Sequence, residues 1–249
     1  MLTQFQDRKE AGKILAAQLA AYANNQDVIV LALPRGGVPV GFEIAQALHV
    51  PLDVIVVRKL GVPGQEELAM GAIATGGIRI LNKDVVQFLN ISDEVIDEIT
   101  AQELQELERR EHRYRGEHPS YDISGRTIIL VDDGIATGAT MHAAVATIKQ
   151  RQPSRVIIAV PTAAPSTCDE FAGEVEELVC VIRPEPFIAV GYWYRQFSQI
   201  SDEEVHLMLE RANQWTSTIP QRPQNTPTTW NHKKNTSKNT SQSEHMNTV

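Results

Sequence analysis

Cysteine is scarce in this 249-residue chain: Cys168 and Cys180 are the only two. That excludes a disulfide framework and a thiolate metal cluster, and it suits a reducing compartment. Positive charge is also short, with 23 Lys and Arg against 31 Asp and Glu and a net charge of −8. A chain this acidic is a poor candidate for broad electrostatic binding to nucleic acid or to an anionic membrane. A local basic patch can still hold a small anion. No uncharged apolar run approaches the roughly 18 residues of a membrane span. The opening MLTQFQDRKE is charged from Asp7 onward and has no apolar leader segment, so the expectation is a soluble, cytoplasmic protein. Signature motifs are missing too. There is no GxxxxGK[ST], no GxGxxG after the first apolar run, no HExxH and no GxSxG, which removes support for a metal hydrolase or a serine esterase.

Short apolar runs alternating with helical patterns are what the chain does have. Asp7 and Glu10 form a capping box ahead of a helical face at Ala11, Ile14, Leu15, Leu19 and Tyr22. VIVLAL (28–33), the turn PRGG, a helical face at Val40, Ile44, Ala47 and Leu48, then DVIVV (53–57) read as a parallel βαβ unit. Residues 58–77, RKLGVPGQEELAMGAIATGG, hold five glycines and a proline and read as a mobile loop leading into a short strand or hairpin. A charged helix starts at Ser92 and runs to about Arg115, with Glu106 and Arg110, and Glu111 and Arg115, spaced i,i+4. Strands at RVIIAV (155–160) and ELVCVI (177–182) flank a helix near 165–172, and Ser201 with Glu204 caps a last helix. The predicted fold is α/β, a doubly wound, mostly parallel sheet. One domain spans 1–215, with a core at about 25–182 and a small C-terminal hood at about 183–215. Residues 216–249 are polar, with Arg222, Lys233, Lys234 and Lys238 against Glu244, and are expected to be a disordered tail.

The stretch TIILVDDGIATGATMHAAV (127–145) concentrates the chemistry. In an open α/β sheet, ligands sit outside the carboxyl ends of the strands. Asp132 and Asp133 stand at such an end and can accept hydrogen bonds from a polyol or help hold a hydrated Mg²⁺. GIATGAT lets successive N–H groups turn inward as an anion nest at a helix N-terminus, with Thr137 and Thr140 as added donors. Two aspartates after a strand also suit a solvated turn, and small residues suit any tight βα connection. Their ordered combination fits a sugar phosphate.

IILVDDGIATGAT resembles the 5-phosphoribosyl diphosphate (PRPP) motif of the type I phosphoribosyltransferases, and residues 5–212 fit that fold in order. The resemblance implies that Asp132 and Asp133 hold the ribose hydroxyls while Ala136, Thr137, Gly138, Ala139 and Thr140 cradle the 5-phosphate. It implies a diphosphate loop at LPRGG, with Arg35 supplying charge and Gly36 and Gly37 letting the backbone approach. Arg58 and Lys59, expected at the end of the second strand, would neutralise leaving diphosphate. Residues 61–77 match the catalytic loop of that family, where Glu66 and Glu67 are available and Glu67 would act as base; the alternative is that both are solvated loop acids. Phe187, ahead of AVGY, would stack on the base, with Tyr192, Trp193 and Tyr194 lining the pocket or simply packing. Ala136 stands where hypoxanthine-guanine enzymes carry an acid, which argues against a 6-oxopurine; the loop is closer to the adenine type. The implied activity is Mg²⁺-dependent transfer of 5-phosphoribose from PRPP to a nitrogenous base, with the metal bound mainly through PRPP. The alternative is a non-catalytic PRPP-binding regulator on the same fold. Family members often dimerise, so the resemblance allows a homodimer, and the small-molecule substrates are the partners implied.

Overall fold

The computed structural model describes residues 4–216. Its centre is a five-stranded parallel sheet in the order β2-β1-β6-β7-β8. The strands are β1 (Val28–Ala32), β2 (Leu52–Val54), β6 (Thr127–Val131), β7 (Arg155–Thr162) and β8 (Glu177–Ile182). Every residue of β1 is buried, as expected of a strand covered on both faces. Val28, Val30 and Ala32 pack with Leu15 and Leu19 of the N-terminal segment and with Val40 and Ile44. Ile29 and Leu31 face the opposite layer, with Met141, Val145, Ile148 and Phe171. The first layer is built by α1 (Arg8–Gln18) and α2 (Gly37–Leu48), the second by α5 (Ala139–Gln150) and α6 (Pro165–Glu170). The doubly wound α/β expectation holds.

The caps read from the sequence are present. Glu10 N–H donates to Asp7 Oδ1 at 2.8 Å, and Glu10 Oε2 accepts from Gln6 N–H. At the last helix, α7 (Asp202–Thr216), Glu204 N–H donates to Ser201 Oγ at 3.1 Å, while Glu204 Oε2 accepts from Ser201 N–H at 2.8 Å. The charged helix is α4 (Asp93–Arg115), with Arg110 on Glu106 at 2.7 Å and Arg115 on Glu111 at 2.9 Å.

The glycine-rich segment corrects the sequence reading. Residues 57–81 form a separate three-stranded antiparallel sheet of β3 (Val57–Val62), β4 (Gln65–Ala74) and β5 (Ile78–Leu81), followed by α3 (Lys83–Phe88). The apolar run 53–57 is not one strand. β2 stops at Val54, and Val56 is drawn onto the new sheet, its N–H donating to Thr75 Oγ1 at 2.8 Å and its carbonyl accepting from Thr75 N–H at 3.0 Å. The glycines serve close backbone packing within strands: a Cβ on Gly71 would lie 2.3 Å from the Ile80 carbonyl oxygen, and one on Gly61 would lie 2.9 Å from that of Glu66. The polar tail lies outside the described residues.

Candidate functional site

Strand order fixes where a ligand can sit. β1 and β6 are neighbours, paired from Val28↔Thr127 to Ala32↔Val131. From β1 the chain runs through α2 to β2 on one side, whereas from β6 it runs through α5 to β7 on the other. The direction of winding therefore reverses between β1 and β6, and the crevice outside their carboxyl ends is the natural ligand position of such a sheet. LPRGG leaves β1 and DDGIATGAT leaves β6, so both motifs open onto this crevice. Leu33 N–H donates to the Val131 carbonyl at 2.8 Å and ties the two exits together.

The acid pair and the glycine pair are in contact. A Cβ on Gly36 would fall 2.0 Å from Asp133 Oδ2, and one on Gly37 would fall 2.9 Å from Asp132 Cα. Only glycine lets the first loop lie against the second at this distance. Asp132 Oδ1 accepts from Asp133 N–H at 2.8 Å. Asp133 Oδ2 accepts from Arg8 Nε at 2.8 Å, and the Asp133 carbonyl accepts from Tyr194 Oη at 2.6 Å. Burial pushes the Asp132 carboxyl well above the usual aspartate range, and the adjacent Asp133 charge pushes it further. Burial also raises Asp133, but the Arg8 guanidinium opposes that rise. The Tyr194 phenol is raised by burial and by the Asp133 charge, so it remains a neutral donor.

Past the acids, the loop turns into α5 through Gly138. Gly138, at φ +74°, caps α5 in the left-handed region, a conformation that L side chains rarely adopt. Ile135 N–H is committed to the Thr162 carbonyl at 2.9 Å. Among the described residues, none accepts a hydrogen bond from the N–H groups of Ala136, Thr137, Gly138, Ala139 or Thr140. The loop carbonyls are held from behind, since Thr167 Oγ1 donates to Ala136 O at 2.9 Å and His142 N–H to Gly138 O at 2.8 Å. Thr137 and Thr140 are exposed.

The remaining sequence candidates divide. Arg35 lies at the crevice loop and pairs with Asp202 of α7 at 3.5 Å. Arg58 and Lys59 are not at the end of a parallel strand; they belong to β3. Arg58 Nε is bound to Glu103 of α4 at 2.6 Å. Lys59 is exposed and, with Glu66, Glu98 and Gln102, lines a groove of about 600 Å³ between the hairpin and α4. Glu67 lies in β4, and its side chain is outside the described residues. Phe187 is half-buried in the segment after β8, while Ile188 beside it is 61% exposed. This segment reaches the acid loop: a Cβ on Gly134 would lie 2.7 Å from Val190 Cγ1.

Three residues of the site, Arg8, Thr167 and Asp202, escaped the sequence reading, and Tyr194 was named for another role. Arg8 is 125 positions from its partner Asp133, and its guanidinium also stacks 3.8 Å from the centre of the Phe197 ring. Tyr194 was expected to line the pocket or simply to pack; it is buried, and its hydroxyl fixes the backbone of Asp133. Thr167 supports the loop after the acids from α6. Asp202 collects Arg35, Arg113 at 3.2 Å and Tyr114 Oη at 3.2 Å. Local patterning carries no signal for such distant pairs; the aromatic run 192–197 was the one usable clue.

Among the described residues no helix is long and apolar enough to cross a membrane. The family model for the phosphoribosyl transferase domain matches residues 1–191. Proteins of two Mycobacterium tuberculosis strains, both provisionally named phosphoribosyl transferase, are 47% identical over 209 residues. That match covers 84% of this chain and 47% of theirs, so the chain spans about half the length of the curated relatives it matches. The crystal structure of TT1426 from Thermus thermophilus is similar at a TM-score of 0.74 and 39% identity, covering 84% of this chain and 98% of that one. By the extent of the family match and by this fold, the chain belongs to the phosphoribosyl transferase domain family.

Proposed function

We propose that this chain transfers 5-phosphoribose from PRPP to a nitrogenous base, purine-like by preference, and releases diphosphate. The observation that carries the reading is the juxtaposition at the β1/β6 exits: two carboxylates on one side, uncommitted amides of residues 136–140 on the other, and Gly36 and Gly37 closing the floor. In this reading Asp132 and Asp133 accept hydrogen bonds from the ribose hydroxyls. The amides and the Thr137 and Thr140 hydroxyls donate to the 5-phosphate. The backbone at Gly36 and Gly37 approaches the diphosphate, with Arg35 supplying charge. Phe187 offers a face for the base, and Tyr194 and Arg8 keep Asp133 in place.

The donor set fits Mg²⁺. Asp132 and Asp133 are hard oxygen donors, and among the described residues no cluster of three or more acids, histidines or cysteines would form a dedicated metal cage. Mg²⁺ would be held chiefly by PRPP oxygens next to these two carboxylates, supplying neutralisation of the diphosphate charge. Displacement at the anomeric carbon passes through an oxocarbenium-like state, so the bound sugar must be shielded from water. The β3–β4 hairpin, with Lys59 and Glu67, is the element proposed to cover it. Glu67 is the proposed base, and Arg58, held by Glu103, has the role of fixing the hairpin to α4.

The test is PRPP-dependent diphosphate release across a panel of purines, pyrimidines and related bases, with and without Mg²⁺. The reading expects release with at least one base and none without the metal. Metal-independent turnover would reject the mechanism. PRPP binding with no productive base would turn the assignment to the regulator.

A further inference from the structure

Arg35 is the one cation of the LPRGG turn, yet in this structure it faces an acid. Its Nη1 lies 3.5 Å from Asp202 Oδ1, with 39% of the Arg35 side chain and 22% of the Asp202 side chain exposed. Asp202 is not a casual neighbour. It opens α7, its Oδ1 also accepts from Tyr114 Oη at 3.2 Å, and its Oδ2 pairs with Arg113 Nε at 3.2 Å. Tyr114 is buried in the core and holds the carboxylate from the α4 side. The Tyr114 hydroxyl and two cations thus converge on one carboxylate at the junction of α4, α7 and the β1 exit.

Such an arrangement gives Arg35 two mutually exclusive partners. At 3.5 Å and partly exposed, its pair with Asp202 is the looser kind that a solvated ion pair makes. The two other donors satisfy Asp202 when Arg35 leaves, so no unpaired acid is stranded. A diphosphate at the Gly36–Gly37 backbone would offer more charge and bidentate geometry to the same guanidinium. We propose that Asp202 is a positioning residue that parks Arg35 outside the crevice and competes with diphosphate for it. This rests on the reading of LPRGG as a diphosphate loop, and it adds that the last helix sets how tightly that anion is held.

The experiment is calorimetric titration of the full chain with inorganic diphosphate and Mg²⁺, for wild type, Asp202→Asn, Arg35→Ala and the double variant. Asn keeps an oxygen for the Tyr114 hydroxyl and removes the charge that holds Arg35. Asp202→Asn should tighten diphosphate binding by about two- to fivefold, the range of a partly exposed ion pair. The gain should vanish when Arg35 is already Ala, as a thermodynamic cycle requires of a coupled pair. If wild type binds diphosphate and Asp202→Asn leaves it unchanged or weaker, the proposal is wrong. A gain that persists with Arg35→Ala also overturns it, since removal of a general negative charge would then suffice. If wild type fails to bind diphosphate at all, the diphosphate-loop reading falls and the proposal with it. Thermal melting of each variant separates these results from misfolding.

Discussion

Asp132 shows how this site sets stability against binding. Its carboxyl is raised above the ordinary value of 3.8 by burial first and by Asp133 second. A carboxyl raised in the folded state keeps its proton longer there than in the unfolded chain. Its contribution to stability is therefore full below about pH 3.8 and is lost as pH climbs through the raised value. At neutral pH the charge is a cost that the Asp133 N–H and the Arg8 guanidinium offset only in part. Asp132→Asn keeps the Oδ1 that accepts from Asp133 N–H and removes the charge. It should raise stability and Tm at pH 7, the direction set by the raised carboxyl. The same change should weaken Mg²⁺·PRPP binding by at least about tenfold. Calorimetry of both properties on one sample checks the pairing; a variant that melts lower and binds normally would place the ligand elsewhere.

Gly36 makes a steric argument at the same spot. Its φ of −62° suits any residue, so alanine is opposed only by Asp133 Oδ2 at 2.0 Å and Cγ at 2.5 Å. Gly36→Ala must displace the carboxylate from Arg8 or move the loop, an overpacking cost of about 1–3 kcal/mol. Urea unfolding should show that loss, with diphosphate affinity falling in parallel.

Elements differ in how far they could be read from sequence, for physical reasons. β1, β6 and β7 are continuous apolar runs because both sheet faces are covered, and such runs are visible in any window. The capping boxes at Asp7 and Ser201 mark helix starts by local chemistry. The hairpin was only half legible, read as a loop leading into a short strand or hairpin, because glycine signals a loop as readily as a strand pressed against its neighbour. Gly61 and Gly71 are of the second kind, and only the positions of Glu66 and Ile80 reveal it. The break between β2 and β3 depends on Thr75, nearly twenty residues downstream, so 53–57 looked like one strand. Both halves of the crevice were legible as motifs, but their contact through Gly36 and Asp133 follows from the β1–β6 pairing, which no local pattern encodes.

The attachment of α4 to the sheet rests on a pair that was likewise invisible. Arg115 Nε lies 2.7 Å from Asp53 Oδ1, both side chains nearly fully buried, and Arg115 also donates to the Val54 carbonyl. Arg115→Met would leave Asp53 charged and buried with only backbone donors, which costs about 3–5 kcal/mol. Changing both residues together, Asp53→Asn with Arg115→Met, should recover much of that loss. A denaturant series on the three variants tests the coupling; a double-variant loss equal to the sum of the two single losses would mean that the ion pair contributes nothing specific.

The whole molecule is acidic, yet its crevice is proposed to take a substrate with several negative charges. Net attraction cannot come from the overall field of a chain at −8. It must come from local dipoles: the amides ahead of α5, the glycine turn, Arg35 and the metal that accompanies PRPP. Affinity for a phosphosugar should therefore depend on residues 136–140 rather than on distant surface lysines. Titration of ribose 5-phosphate into ¹⁵N-labelled protein reads this without any need for an acceptor base. The amide resonances of Ala136, Thr137, Gly138, Ala139 and Thr140 should shift together and saturate, with the hairpin 57–81 little changed. Silent amides at these five positions, with saturable shifts elsewhere, would mean that the loop after β6 is an ordinary turn.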